Sequence, residues 1–160
     1  MLLDMLVPLF SLPDPGPSLA RLAPLGIEVR RARSREEGVL VDWVGKNFSQ
    51  GWASECRAAM SRIPPACFVA LQQGDLMGFA CFEAAYRGFF GPMGVLETHR
   101  GKGLGRALLI CALKAMAESG YQYAIIGEVG PVAFYEKVVS AKVIPCSSDR
   151  LGNRDRPPRP

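Results

Sequence analysis

The residues whose types and spacing could do chemistry are concentrated in one short run, Arg100-Gly101-Lys102-Gly103-Leu104-Gly105-Arg106. Its glycines let the backbone adopt positive φ and approach a ligand closely. An apolar, helix-like run begins at Leu104, and the first amide groups of a helix have no partner inside it. Those amides, the positive end of the helix dipole and the cationic side chains predict a binding site for a phosphate or a pyrophosphate.

The spacing of the glycines distinguishes between phosphate ligands. The triphosphate-binding loop G-x-x-x-x-G-K-[ST] does not occur in the chain. The dinucleotide pattern G-x-G-x-x-G fails in both registers, because an arginine or a leucine occupies its third glycine position. The pattern that does fit is R-x-x-G-x-G, with Arg100, Gly103 and Gly105 in register. It resembles the acetyl-CoA pyrophosphate loop of the GCN5-related N-acetyltransferase family.

The resemblance continues on both sides of the loop. Downstream, GYQYAIIGEVGPVAFYEKV resembles the family's next strand and its last helix, with an F-Y-E-K turn at residues 134–137. Upstream, ACFVALQQGDLMGFACFEA resembles the family's paired strands, which meet at a turn at Gly74 and Asp75. The resemblance covers residues 27–144. It implies an α/β (α+β) fold, with a mixed, mostly antiparallel twisted sheet of six to seven strands, a parallel pair splayed at its centre, and about four flanking helices.

The same resemblance implies that acetyl-CoA is the co-substrate, and it implies which residues hold it. The main chain at Val95 and Leu96 is expected to pair with the pantetheine amides, and the glycine loop is expected to hold the diphosphate. The residues implied in co-substrate binding are Val95, Leu96, Arg100, Gly101, Lys102, Gly103, Leu104, Gly105, Arg106 and Phe134.

Transfer of an acetyl group from a thioester to an amine sets three requirements. The amine must be neutral, the carbonyl oxygen must be stabilised as it gains charge, and the departing thiolate must be protonated. For the last role the resemblance points to Tyr135, because a tyrosine in this F-Y turn commonly serves the family as general acid. A tyrosine with an unperturbed pKa near 10 stays protonated at neutral pH and can donate to a thiolate. The base stays open among Glu83, Glu128 and Glu97. Glu128 stands seven residues before Tyr135, where many members of the family carry an asparagine that contacts pantetheine.

The leading hypothesis is therefore an acetyl-CoA-dependent N-acetyltransferase that acetylates a primary amine of a small molecule by direct attack in a ternary complex. In the family, the first helical pair and nearby loops build the acceptor site, so Trp52, Glu55 and Tyr86 are candidates for substrate contact. The alternative is a non-catalytic acyl-CoA-binding sensor or interaction module. A homodimer is an expectation at the level of the family alone.

Composition limits other classes of function. A chain of 160 residues, 49% hydrophobic and 21% charged, is typical of a single globular domain. The net charge of +4 comes partly from the arginine-rich end of the chain, and it suits a polyphosphate co-substrate better than a nucleic acid, so no nucleic-acid partner is predicted.

Neither a metal nor a membrane is predicted. The five cysteines contain no C-x-x-C pair and the chain has one histidine, so the spacing offers no ligand set for a metal ion. Free thiols are typical of a reducing compartment, which predicts a cytoplasmic location. The apolar opening MLLDMLVPLFSL is too short to span a bilayer and lacks the positive flank of a signal peptide.

The surrounding pattern predicts the elements that must position these residues. Residues 1–26 are predicted to be an extended segment packed on the domain, and its part at 11–26 is a proline-rich connector. Residues 27–146 are predicted to form a single acetyltransferase domain. Residues 147–160 are predicted to be a disordered tail. A capping box at Ser34 and Glu37 predicts a helix from about Arg35. Further helices are expected at 51–62, 104–119 and after Pro131, and strands at 27–32, 66–71, 76–85, 89–97, 121–127 and 141–144. A bulge or a splay is expected near Pro92.

Overall fold

The backbone forms seven strands and five α-helices over residues 3–145, the part of the chain that the computed structural model describes. The strands are β1 Leu3–Pro8, β2 Ile27–Arg31, β3 Cys67–Gln72, β4 Asp75–Phe82, β5 Phe89–Val95, β6 Tyr123–Val129 and β7 Lys142–Val143. The helices are α1 Gly16–Leu22, α2 Glu37–Asn47, α3 Gln50–Met60, α4 Leu104–Glu118 and α5 Val132–Val139.

All described strands join one mixed sheet in the order β2-β3-β4-β5-β6-β1-β7. Neighbouring strands are antiparallel except β5 and β6, which are parallel because α4 crosses between them. The predicted fold class, with its central parallel pair, is confirmed, and five α-helices flank the sheet within the described residues where about four were expected.

The parallel pair is short, and the two strands separate at Pro92, as predicted. Pairing in this ladder ends at Phe90 opposite Ile126. Gly91 follows at φ 118° and Pro92 has no N–H to donate, so the ladder cannot continue regularly. Beyond this point β5 stays with β4 while β6 stays with β1. The divergence opens the centre of the sheet.

The N-terminal segment is part of the sheet, where the sequence predicted an extended piece packed on the domain. β1 lies between β6 and β7 and is antiparallel to both. The predicted connector at 11–26 is also wrong, because α1 lies within it. Pro15 and Pro17 stand at the start of α1, where a missing N–H and a fixed φ favour a helix. Leu22 of α1 is buried in the core.

Successive side chains of β4 face opposite layers of helices. Gly78 lies against Leu108 of α4, where an added Cβ would stand 3.0 Å from the leucine side chain. Phe79 points to the other face, and its ring packs against those of Phe48 and Trp52, 5.6 and 6.1 Å away. The sheet thus lies between α4 on one face and the α2–α3 pair on the other.

The start of α2 differs slightly from its prediction. The helix expected from Arg35 begins as a 3-10 turn, and α2 itself starts at Glu37. The acid that caps this start is Glu36, whose carboxylate accepts a hydrogen bond from the Arg33 N–H at 2.7 Å, so the predicted pair of Ser34 and Glu37 is wrong by one residue.

The predicted tail at 147–160 lies outside the described residues, and the domain boundaries stay predictions. No helix within residues 3–145 has the length and hydropathy that a membrane span requires.

Candidate active site

A cleft of about 1020 Å³ opens where β5 and β6 separate. The start of α3, the connection between β4 and β5, the end of β6 and the first turn of α5 form its walls. It brings together residues that the sequence singled out for different roles. These are Trp52, Glu55, Tyr86, Glu128 and Tyr135.

Tyr135 is the buried acid of the cleft. It ends the first turn of α5, with 8% of its surface exposed, and its ring stands edge-on to that of Phe134 at 5.1 Å. Burial raises the pKa of Tyr135 to about 12, because the apolar surroundings disfavour the phenolate. The phenol is therefore a firmly protonated donor at neutral pH.

Trp52 and Glu55 reach the cleft from neighbouring turns of α3. The helix start is fixed by Ser49, whose hydroxyl accepts a hydrogen bond from the Trp52 N–H at 3.1 Å. The Trp52 ring stacks on Phe48 with centroids 5.4 Å apart, which anchors this end of the helix against the sheet. Glu55 is half-buried, and burial raises the pKa of its carboxyl above the ordinary value. A raised pKa makes this carboxylate a stronger base than an exposed one.

Glu128 stands on an irregularity of β6. Opposite β1, Leu3 pairs with Val129 and Met5 with Ile126, so β6 carries one extra residue across from Asp4. Glu128 has φ 52°, a left-handed conformation that is uncommon outside glycine. Its N–H donates to Oδ1 of Asp4 at 3.0 Å, and Asp4 itself is only 3% exposed. The bulge turns the Glu128 residue into the lining of the cleft.

Asp4 is a site-supporting residue that sequence reasoning missed. The signal was present, because Asp4 is the one acid in an otherwise apolar run. A charged group that is almost fully buried needs hydrogen-bonding partners. The sequence could show that Asp4 was unusual, but it could not show which backbone group it would meet.

The predicted phosphate loop has the backbone geometry of an anion site. Gly101 and Gly103 have φ of 80° and 92°, and a Cβ at either would meet nothing within 4 Å. Glycine is therefore required here for conformation, and the space around it is open. Gly103 is the N-cap of α4, and no side chain of the described residues caps that helix. Arg100 and Lys102 are exposed beside it and Arg106 half-exposed, so cationic groups surround uncapped amides.

A sequence profile described as the Acetyltransferase (GNAT) family matches residues 38–139. The chain belongs to this acetyltransferase family. The match contains both the glycine loop and Tyr135, and its two ends lie in α2 and α5.

Solved structures share the GNAT fold with this chain. The glucosamine N-acetyltransferase region of a fungal multi-domain GH3 beta-N-acetylglucosaminidase aligns with a TM-score of 0.72 and 18% identity, over 89% of this chain and 20% of that one. A GCN5-related N-acetyltransferase from Sphaerobacter thermophilus aligns at 0.66 and 20% identity, over 89% and 48%. A GNAT acetyltransferase from Brucella melitensis in complex with acetyl-CoA aligns at 0.56 and 18% identity, over 74% and 86%.

The first two of these structures are much longer than this chain. The chain spans 20% and 48% of the length of the first two GNAT structures. No curated protein sequence matches the chain significantly.

Glu83, one of the predicted candidates for the base, does not line the cleft. Its Oε1 accepts from the Gly88 N–H at 2.6 Å and its Oε2 accepts from the Tyr121 hydroxyl at 3.0 Å. Arg62 lies 3.9 Å from the same carboxylate. The carboxylate thus fastens the connection between β4 and β5, so the structure favours a structural role over the predicted role as base. Glu97, on an exposed turn before the loop, is also absent from the lining.

Leu96 departs from the role expected of a GNAT strand end. Its N–H donates to the Met77 carbonyl at 2.9 Å, and its carbonyl accepts from the His99 N–H at 2.8 Å. The Leu96 N–H is therefore already engaged within the protein, which argues against the expected pairing with a pantetheine amide. The role expected of Val95 stays a prediction.

Proposed function

We propose that this chain is an acetyl-CoA-dependent N-acetyltransferase that acetylates a primary amine of a small molecule by direct attack in a ternary complex. One observation carries the proposal: the cleft at the β5–β6 divergence holds Tyr135 together with the carboxylates Glu55 and Glu128. β5 leads directly from this cleft towards the glycine loop. A proton donor and two carboxylates thus meet at the cleft beside β5, and the anion site follows β5 in the chain.

The charge distribution supports a cationic amine as the acceptor. The charged residues that line the cleft are Glu55 and Glu128, both acidic. Trp52, Tyr86 and Phe89 add aromatic surface beside them, which also favours a cation. The opposite end of the site, at the loop, is basic. An ammonium group is attracted to the acidic cleft and a diphosphate to the basic loop, so each substrate is drawn to a different end of the site.

Acetyl-CoA, as the second substrate, supplies an activated thioester that needs no nucleophilic side chain. The Gly103 turn and the open amides of α4 fit its diphosphate, and Arg100 and Lys102 add charge-assisted hydrogen bonds. The structure of the Brucella melitensis relative with acetyl-CoA supports this substrate at the level of the shared fold.

Two proton movements fall to the chain's own residues. Glu55 or Glu128 removes a proton from the bound ammonium, directly or through water, which makes the amine nucleophilic. Burial raises the pKa of the Glu55 carboxyl, which suits this residue to the role of base. Tyr135 donates the phenolic proton towards the departing thiolate, since the high pKa of this side chain keeps the proton available.

The test measures release of CoA thiol over a panel of primary amines, which includes diamines, amino sugars and aromatic amines. We expect turnover with amines, none with matched alcohols, and a fall in turnover for Tyr135→Phe. Tyr123→Phe is the matched control, because Tyr123 lies outside the cleft lining. Calorimetric binding of acetyl-CoA without turnover on any amine would instead favour the acyl-CoA-binding module.

A further inference from the structure

Three buried cysteines from three different secondary-structure elements meet in the core. Cys56 lies on α3, Cys67 on β3 and Cys81 on β4, and each has 0% of its surface exposed. Their sulfur atoms all lie within 4.8 Å of one another. Cys67 and Cys81 are direct cross-strand partners, with sulfurs 3.5 Å apart. The sequence indicated no metal ligand set, because a cluster built by three separate elements has no short spacing to detect.

The separations suit coordination to one metal ion. Sulfurs bound at about 2.3 Å around one centre stand about 3.8–4.0 Å from each other in trigonal or tetrahedral geometry. The sulfurs of Cys67 and Cys81 lie 3.5 Å apart and all three lie within 4.8 Å of one another, so small side-chain adjustments suffice. Each residue comes from a regular element, so the backbone that positions the thiols is rigid. The three sulfurs therefore form a preorganised donor set.

We propose that Cys56, Cys67 and Cys81 form a three-sulfur binding site for one soft, thiophilic metal ion of the Cu(I) class. No histidine, aspartate or glutamate of residues 3–145 joins the cluster. Mg²⁺ and Ca²⁺ take oxygen ligands, whereas thiolates bind Cu(I), zinc and iron–sulfur clusters. Structural zinc takes four protein ligands, which leaves Cu(I) as the thiophilic ion that three sulfurs fit best. Three sulfurs match an ion that accepts three-coordination.

Loading exchanges protons for the metal and transfers no electron. Each metal–sulfur bond to a thiolate replaces an S–H bond, and the proton passes to solvent, so metal uptake rises with pH. Because the thiols are fully buried, an ion enters when α3 moves transiently from the sheet or while the chain folds. The experiment therefore offers the metal to folded protein and also during refolding.

Binding at this site would also stiffen the cleft. Cys56 follows Glu55 directly on α3, and Trp52 lies one turn earlier. A metal bound to one sulfur from α3 and two from the sheet joins this helix to β3 and β4. The metal-loaded chain is expected to have a higher Tm than the metal-free chain, because the ion binds the folded state preferentially.

The test uses the full chain, reduced and kept free of oxygen. Cu(I) is supplied as its coloured bicinchoninate complex, and transfer to the protein is followed as loss of that colour. We expect one Cu(I) per chain for the natural sequence. Cys56→Ala removes one of the three ligands and should lower the affinity by at least about 10- to 100-fold, the usual cost of losing a partner that only orients a ligand. Cys111→Ala on α4 and Cys146→Ala outside the described residues are matched controls, and both should bind normally.

X-ray absorption on the loaded natural chain removes any dependence on how the variants fold. Three sulfur neighbours at about 2.3 Å support the site. Three outcomes overturn the proposal: no transfer to the natural chain in either loading mode, equal transfer to Cys56→Ala, or oxygen and nitrogen neighbours in the absorption spectrum. Uptake of Zn(II) in preference to Cu(I) overturns the metal class.

Discussion

The carboxylate of Asp4 accepts a hydrogen bond from the backbone N–H of Glu128 at 3.0 Å, across the ladder between β1 and β6. Asp4, near the start of the described residues, thus holds Glu128 in its left-handed conformation at the edge of the cleft. Asp4 is part of the core, while Glu128 is exposed to the cleft. One hydrogen bond therefore joins the N-terminal strand to the candidate active site.

Replacing Asp4 should loosen this turn. Asp4→Ala leaves a part-buried N–H without its acceptor, and we expect a loss of about 1–3 kcal/mol in the free energy of unfolding. Asp4→Asn keeps a carbonyl oxygen in the same position and should lose less. Urea denaturation measures both, with Asp75→Ala at the exposed start of β4 as the control. Equal losses for the alanine and asparagine variants would contradict the assigned hydrogen bond.

Tyr135→Phe should lower kcat by about 10²- to 10³-fold, as loss of a general acid commonly does. The natural chain should keep its rate up to about pH 10, where an unperturbed tyrosine is half ionised. The reason is that burial raises the pKa of Tyr135 to about 12. Initial rates of CoA release across this pH range give the measurement. An alkaline decline near pH 10 that is absent from Tyr135→Phe would show an exposed, unperturbed phenol instead.

The two cleft carboxylates can be separated by kinetics. If Glu55 is the base, Glu55→Gln lowers kcat by about 10²-fold or more, whereas loss of charge recognition alone raises KM for the amine. The rate of the natural chain should fall as pH falls through the pKa of Glu55, at a pH above the usual carboxyl range, because the base must be ionised. Glu128→Gln is measured in parallel. Glu83→Gln, whose carboxylate is absent from the cleft lining, serves as the control.

Gly103→Ala should weaken CoA binding through the backbone. An alanine at φ 92° costs about 1–2 kcal/mol in strain, and relief of that strain would move the amides at the start of α4. We expect Kd for CoA to rise about tenfold, which corresponds to about 1.4 kcal/mol. Gly74→Ala, at φ 84° with equally open surroundings, should lose similar stability and keep CoA affinity. Calorimetry of CoA binding to both variants distinguishes a general effect of backbone strain from an effect specific to the glycine loop.

Stability at acidic pH should depend on Glu36. Arg30 donates to both oxygens of Glu36, at 3.0 and 2.6 Å, and this hydrogen bonding lowers the pKa of Glu36 to about 2. The stabilisation is present above the ordinary carboxyl pKa and is lost as pH falls from about 4.5 towards 2. Glu36→Gln should lose about 1–2 kcal/mol at pH 7, a value reduced for solvent screening. The difference should shrink in urea titrations at lower pH, and a constant difference would contradict the ion pair.

The glycine loop, α4 and the parallel β5–β6 pair could be predicted because the relevant preferences are local. Glycine spacing, an apolar helical run and a crossover helix each constrain the backbone within a few residues, whatever the rest of the chain does. Tyr135 was identified in the same way, from a short motif. The prediction at 11–26 was wrong because the prolines there start α1, and proline at a helix start and proline in a loop have the same local signature.

The sequence alone determined the family-typical loop and the type of sheet, and the tertiary structure decided which polar groups serve the cleft. Glu83, Glu55 and Glu128 are all carboxylates near predicted element ends, yet Glu83 fastens a loop while the others line the cleft. Asp4 and Glu128 are 124 residues apart, and the three core cysteines come from three elements. Such partners meet through strand order and packing across the whole chain, which no local pattern of residues specifies.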